Sequence, residues 1–502
     1  MTKLSRRHLV VTGLAGAGAS LLPGSVREAN AATFTRYNLA SPNGQAMLKK
    51  YAEAVKLMMA LPPSNPQSWT FQWYTHAVPT NTTKSAALNQ IFGPNPSPNK
   101  TLATDMWDTC QGHFASADEP YFLPWHRMYV CFFEEIIRTV LKDPKFTLPY
   151  WNYSVPAGYA VPKEFRMQND PLWGPLYRPN RNSTSNAGQA IFTGMGSASD
   201  LSPTPAMSET TYLPSGVKSG FNQTLDFGLH GNVHVFVGNS TNGMGRIPWA
   251  ANDPLFWMHH CNIDRIWVSW NNAGHSNPNT AAWQNKVFVF ADGNGKGVKV
   301  PVKEYTNTEK CDYQYDQLIG AKPLIALNAA EAGGPPSAPV TLAKTEGGPV
   351  ALGAEPVRFS LQSKQAPAPA QSQGGAQVTQ LSSTLSELSE NQRLYLVIGD
   401  YKADVQPGTL YRVYLDLPDT APSDPLNSHY VGSFNYFAAT PHGEGHDHAD
   451  IARSVSFDIT DVAADLSARN LLKAEHAVTI VPATSPLSDA KPVVGNVSFV
   501  KQ

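Results

Sequence analysis

The run Asp253-Pro254-Leu255-Phe256-Trp257-Met258-His259-His260-Cys261-Asn262-Ile263-Asp264-Arg265-Ile266-Trp267 decides how the 502-residue chain is read. Asp253-Pro254 marks the cap and first turn of a helix, where a carboxylate accepts free N–H groups and proline's missing N–H costs nothing. Adjacent histidines on a helix diverge, so one of His259 and His260 can face a shared site. Asp264, one turn beyond His260, is expected to orient an imidazole from behind. Working upstream, His230-Gly231-Asn232-Val233-His234 places two imidazoles at i and i+4, which stacks them on one helix face within reach of a single metal ion. Gly231 stands where a zinc protease of the His-Glu-x-x-His kind carries its glutamate base, so that chemistry is excluded. Further upstream Phe122-Leu123-Pro124-Trp125-His126-Arg127 opens another helix, with Glu134 two turns later. His113 precedes it, and His76 closes an earlier helical pattern that holds Trp69 and Gln72. No Glu-x-x-His pair of a di-iron bundle is present.

Taken in order, the Phe-Leu-Pro-Trp-His-Arg motif with Glu134, the His-x-x-x-His pair and the long Asp253 motif resemble the type-3 copper proteins: tyrosinases, catechol (polyphenol) oxidases and molluscan-type hemocyanins. Leu148-Pro149-Tyr150-Trp151-Asn152 is similar to that family's Pro-Tyr-Trp turn. Tyr313-Gln314-Tyr315 resembles the tyrosine motif that closes its catalytic domain and tethers an early arginine, here Arg36. The resemblance implies one copper on His76, His113 and His126, and a second on His230, His234 and His260, with His259 a pocket residue. It implies dioxygen as co-substrate and oxidation of o-diphenols to o-quinones, with hydroxylation of monophenols as a further activity. Oxygen carriage without turnover, as in hemocyanins, and o-aminophenol oxidation are the alternatives it leaves open.

The chain departs from the family pattern at three places. His113 and His126 are thirteen apart where nine is usual, so residues 114–121 are expected to bulge outward. Cys110 stands three before His113 rather than two, which makes it the candidate for the family's cysteine–histidine thioether. Cys131, Cys261 and Cys311 read as buried thiols. Beside the second copper, efficient monophenol hydroxylases of the family carry an asparagine after the first histidine, paired with a carboxylate to hold a water. Here Gly231 fills the first place and Asp226 is the nearest match to the second, which favours o-diphenols over monophenols.

The remaining sequence sets the architecture. Helical spacing over Asn43 to Ala60 and Trp125 to Leu141, with the motifs above, predicts a mainly α-helical catalytic domain over residues 32–328, its dicopper site held in a four-helix bundle. Residues 155–225, rich in Asn, Ser, Thr, Gly and Pro, read as long surface loops. A small, Gly/Pro-rich stretch at 329–339 reads as a linker, and short β-like runs beyond it predict a C-terminal antiparallel β-sandwich over 340–502. The whole is an α+β multidomain chain. The resemblance implies that the second domain shields the copper pocket and keeps the enzyme latent, with Phe434 or Tyr436 as the blocking aromatic. His442, His446 and His448 form a further polar cluster. Ahead of everything, Arg6-Arg7 before an apolar Gly/Ala run and Ala29-Asn30-Ala31 resemble a twin-arginine signal over residues 1–31, so the expected destination is periplasmic or secreted. Net charge is −1 with 15% charged residues, so there is no basic field for a nucleic acid, and no stretch is apolar for long enough to span a membrane. Small phenols and dioxygen are the expected partners.

Overall fold

The computed structural model describes residues 33–110, 120–320, 338–363, 379–440 and 453–502. The signal segment, His113, residues 114–119 of the expected bulge, residues 329–337 of the linker and the His442, His446 and His448 cluster lie outside the described residues.

Helix Phe122–Leu141 is the axis of the first half of the chain. It is buried from Phe122 through Glu134, as a helix must be when other elements cover all its faces. Helix Leu255–Asn272 packs along it, and helix Pro42–Ala60, capped by the Ser41 hydroxyl, packs on a second side. Phe133 stacks on Trp257 between two of these helices, and Trp69 meets both rings edge-on. Two shorter helices, Trp69–His76 and Gly231–Val237, bring further histidines to the axis. The Trp69–His76 helix starts where the Ser68 hydroxyl accepts the Phe71 N–H.

Strand Phe34–Arg36 pairs in parallel with Tyr313–Tyr315 and closes the helical domain. The pairing carries the tether expected from sequence: the Arg36 guanidinium lies 3.7 Å over the Tyr313 ring and donates to the Tyr315 hydroxyl at 3.1 Å.

Residues 155–225 differ from the expected surface loops. They form short 3-10 and α turns whose Val161, Phe165, Leu176, Ile191 and Leu201 are fully buried. The polar, Pro-rich composition masked these widely spaced anchors, and the segment is a packed outer layer of the domain. Two cysteines also differ from expectation. Cys131 and Cys311, read as buried thiols, form a disulfide with a Cα–Cα distance of 6.1 Å. Their 180-residue separation concealed the pairing, and it fastens the central helix to the approach of strand Tyr313–Tyr315. Cys261 is a buried thiol, pushed upward in pKa by burial.

Among the described residues the C-terminal part holds two large antiparallel sheets and a two-stranded ribbon of Val350–Ala351 with Val493–Val494. One has four strands in the order Tyr430–Phe434, Tyr411–Leu415, Ala477–Pro482, Val357–Ser360. The other has five, in the order Arg453–Asp458, Leu394–Tyr401, Asn496–Lys501, Val340–Lys344, Gln362–Ser363. Val413 and Ile480 of the first sheet share one core with Leu396, Ile398 and Phe499 of the second, which is sandwich packing. The β-runs read from sequence are present; Val340–Lys344, Asn496–Lys501 and helix Thr460–Ala468 join them. No helix among the described residues is long and apolar enough to cross a membrane.

Candidate metal centre

Among the described residues, two groups of side chains bring potential ligand atoms within 4.8 Å of one another: His76, Cys110 and His126; and His230, His234, His259 and His260. All seven are buried. The groups adjoin, since the His126 and His260 rings stack at 4.2 Å with a 6° tilt.

The backbone fixes which nitrogen faces inward. His126 Nδ1 lies 2.8 Å from the Phe122 carbonyl and His234 Nδ1 2.8 Å from the Met244 carbonyl. His230 Nδ1 meets the Asp226 carbonyl at 3.2 Å and an Asp226 carboxylate oxygen at 3.1 Å. These partners are all acceptors, so each Nδ1 carries the hydrogen and, in a neutral ring, each Nε2 keeps its lone pair. The His230 and His234 Nε2 atoms nevertheless stand 3.1 Å apart. Two lone pairs at that distance repel unless a cation lies between them. His260 and His259 are buried with no hydrogen-bond partner on any ring nitrogen among the described residues. Burial, then the neighbouring imidazoles, lowers the pKa of both well below the usual histidine range, so both stay neutral and ligand-competent. The donor set of converging neutral imidazoles fits copper.

The other sequence-nominated residues fall as follows. The Cys110 Sγ is 3.7 Å from His126 Nε2, inside the first group. Its thioether partner His113 is outside the described residues. His259 stacks on His230 at 5.2 Å and faces Tyr153 at 5.4 Å. The Asp226 carboxylate rests on His230 Nδ1. Beside Gly231, the place of a side chain is taken by the Asn435 carboxamide, whose Oδ1 and Nδ2 would lie 2.7 and 2.8 Å from a Cβ.

Asp264 does not orient His260. Its carboxylate accepts from Arg127 Nε at 2.6 Å, Arg36 Nη1 at 3.2 Å and the hydroxyls of Tyr313 and Tyr315. Glu134 takes the other side of Arg36 and the Leu148 N–H. The two carboxylates belong to a buried charge network beneath the site.

Phe434 and Tyr436 do not reach the pocket either. Both point into the sandwich, packing with Tyr401 and Tyr411. The ring that covers the histidines is Phe437, stacked on His234 at 4.2 Å with a 12° tilt and edge-on to His230 at 5.7 Å. The strand ends at Phe434 and a 3-10 turn begins at Phe437, so the side-chain alternation of the strand stops just before the residue that matters. Sequence reading also missed two apolar rings within the motifs: Phe122, 4.6 Å from His230 and 4.9 Å from His126, and Phe256, 4.2 Å from His260 and 4.9 Å from His76.

Comparison with known proteins agrees with this geometry. Residues 66–273 match the family model described as the common central domain of tyrosinase. Residues 66–273 are thus a tyrosinase-type central domain, the domain of the type-3 copper proteins. Tyrosinase-family proteins bind two coppers, and the two histidine groups are where this chain would hold them. Residues 343–502 match a second model, a domain of unknown function (DUF7868). A tyrosinase of Hahella sp. is 32% identical over 287 residues, which cover 53% of this chain and 60% of that protein. A chloroplastic polyphenol oxidase of Malus domestica is 25% identical over 477 residues, covering 87% of this chain and 73% of its own. Matches to several other plant relatives span 45 to 49% of their length. In fold, the chain is similar to a latent apple tyrosinase (TM-score 0.59, 20% identity, 93% of this chain and 97% of that one) and to a latent aurone synthase (TM-score 0.59, 19% identity, 94% and 89%).

Proposed function

We propose that this protein is a dicopper oxidase that uses dioxygen to convert o-diphenols to o-quinones and is held latent by its C-terminal domain. The observation that carries the reading is the pair of His230 and His234 Nε2 atoms facing each other at 3.1 Å, both Nδ1 atoms anchored behind them, beside the His126 and His260 stack. When bound, the two coppers supply the redox couple and the binding site for dioxygen. The chain supplies the rest. Carbonyls of Phe122, Asp226 and Met244 hold three rings so that they need not reorganise during turnover. Phe122 and Phe256 keep water from between the rings. Neutral His259, with no partner on either nitrogen among the described residues, can accept a hydrogen bond from a phenol hydroxyl at the pocket wall. Gly231 offers no side chain to position a water, which supports the preference for o-diphenols, with monophenol hydroxylation the lesser activity.

Latency is supported by Phe437, which occupies the face of His234 that a flat aromatic substrate would use. The apple tyrosinase and aurone synthase that share this fold are latent forms, which points the same way. Export by the twin-arginine route to the periplasm or beyond is part of the proposal and rests on residues 1–31; the Cys131–Cys311 disulfide supports an oxidising destination. The test is quinone formation from catechol, and hydroxylation of tyramine, by the copper-loaded chain before and after limited proteolysis within residues 321–337. The reading predicts little catechol turnover before cleavage, much after it, and slower tyramine hydroxylation. Equal catechol rates before and after cleavage would overturn latency, and none in either state would overturn the oxidase.

A further inference from the structure

The turn that delivers His230 is the least regular element of the site. Residues Asp226–His230 form a π-turn broken at Gly228, whose backbone sits at φ −90°, ψ −108°. Single π-turns inside helices are rare and occur mostly where a functional site needs the helix re-aimed. Phe227, Gly228 and Leu229 border a cavity of about 630 Å³ whose far wall is built from second-domain strands, and a Cβ on Gly228 would meet nothing within 4 Å.

Asn435 of the second domain supplies a hold from the other side. Its Nδ2 donates to the Phe227 carbonyl at 2.8 Å and to Asn232 Oδ1 at 2.9 Å, so both amide hydrogens are spent on the segments flanking His230. Its Oδ1 accepts the Phe437 N–H at 2.9 Å. Asn232 donates in turn to the Asp200 carbonyl, and the Asp200 carboxylate accepts from Ser433. The carboxamide fits only because residue 231 has no side chain.

We propose that Asn435 is a positioning residue for the second copper: reaching across the domain interface into the space left by Gly231, it holds the Asp226–His230 turn in the shape that presents His230. Two residues of one segment then act on the site in different ways. Phe437 covers it, and Asn435 shapes it, so displacing the second domain both opens the pocket and loosens one ligand. This rests on the reading of His230 as a copper ligand, and the experiment separates the two.

Amide hydrogen exchange is measured on the full-length chain without copper, comparing residues 227–231 with the interface strand 454–456. Asn435→Ala and Asn435→Asp, neither of which can donate to Phe227, are expected to speed exchange at 227–231 about tenfold and leave 454–456 unchanged. Gly231→Ala should do the same by expelling the carboxamide, and Gly231→Ala in an Asn435→Gly background should add nothing further. Phe437→Ala should leave residues 227–231 protected. In the copper-loaded protein, Asn435→Ala should release one of two coppers to a chelator about tenfold faster, as its turn opens more often. Unchanged exchange at 227–231 in Asn435→Ala, or equal loosening at 454–456, overturns the proposal, the latter making Asn435 a docking residue only. Failure of the parent chain to hold two coppers overturns the oxidase reading and leaves the exchange result standing.

Discussion

His126, His230 and His234 are each oriented through the nitrogen that faces away from the pocket, and their acceptors are mainly backbone carbonyls. A backbone carbonyl swings away less readily than a side-chain acceptor, so the inward geometry is set before any metal arrives, with Asn435 holding the turn behind His230. His234→Ala is therefore expected to cost one copper of two and abolish quinone formation while the other group keeps its ion; metal analysis alongside catechol turnover checks this, and an active variant would refute the assignment. Phe437→Ala removes a stacked ring worth about 1 kcal/mol beyond its buried area, so basal turnover of the uncleaved chain should rise roughly fivefold. No rise would mean that the ring merely fills space. His126, His230, His234 and His260 could be nominated because they lie in contiguous motifs that resemble the family's, and helical spacing puts His230 and His234 on one face. Phe437 and Asn435 were not, because they meet the site across some two hundred residues of chain, and a turn rather than a strand sets their directions. Phe434 and Tyr436 illustrate the cost: the correct segment, with the rings facing the wrong core.

The helices were readable as elements, with starts within a few residues of the structure, because apolar spacing and Ser or Pro caps mark them. The layer between 155 and 225 was not, since its anchors follow no period. Nor was the disulfide, because nothing in spacing pairs Cys131 with Cys311 rather than with Cys261 or Cys110. That bond ties the helix bearing His126 to the chain leading into Tyr313–Tyr315. Closing so long a loop is worth about 3–5 kcal/mol by restricting the unfolded chain. Replacing both cysteines by serine should lower the urea midpoint accordingly, while copper content at 25 °C stays at two. Loss of copper without loss of stability would show instead that the bond positions His126.

At the scale of the molecule, one buried network joins the first strand, the central helix, the Asp264 helix and the closing strand. Burial alone would raise the Asp264 pKa, but Arg127, Arg36 and the two tyrosine hydroxyls outweigh it and the carboxyl ends below its usual value. A depressed folded pKa gives stability that is present above the unfolded value of about 3.9 and lost as pH falls through the folded value. Acid unfolding is accordingly expected below about pH 4, and Asp264→Asn should shift it while costing about 3–5 kcal/mol at neutral pH, because it strands buried guanidinium charge. Urea titrations at pH 3 and pH 7 measure both effects, and an Asp264→Asn variant as stable as the parent at pH 7 would show that the network contributes nothing. The two-part plan, helical then β, was legible from the change in periodicity near residue 340. How the parts meet was not, because the interface is made by single side chains such as Ser433, Asn435 and Phe437. The central claim is that the chain holds a pair of coppers. Metal analysis of the full-length protein, loaded with cupric salt and then freed of loose ions by gel filtration, should find two coppers per chain; one or none would contradict the account.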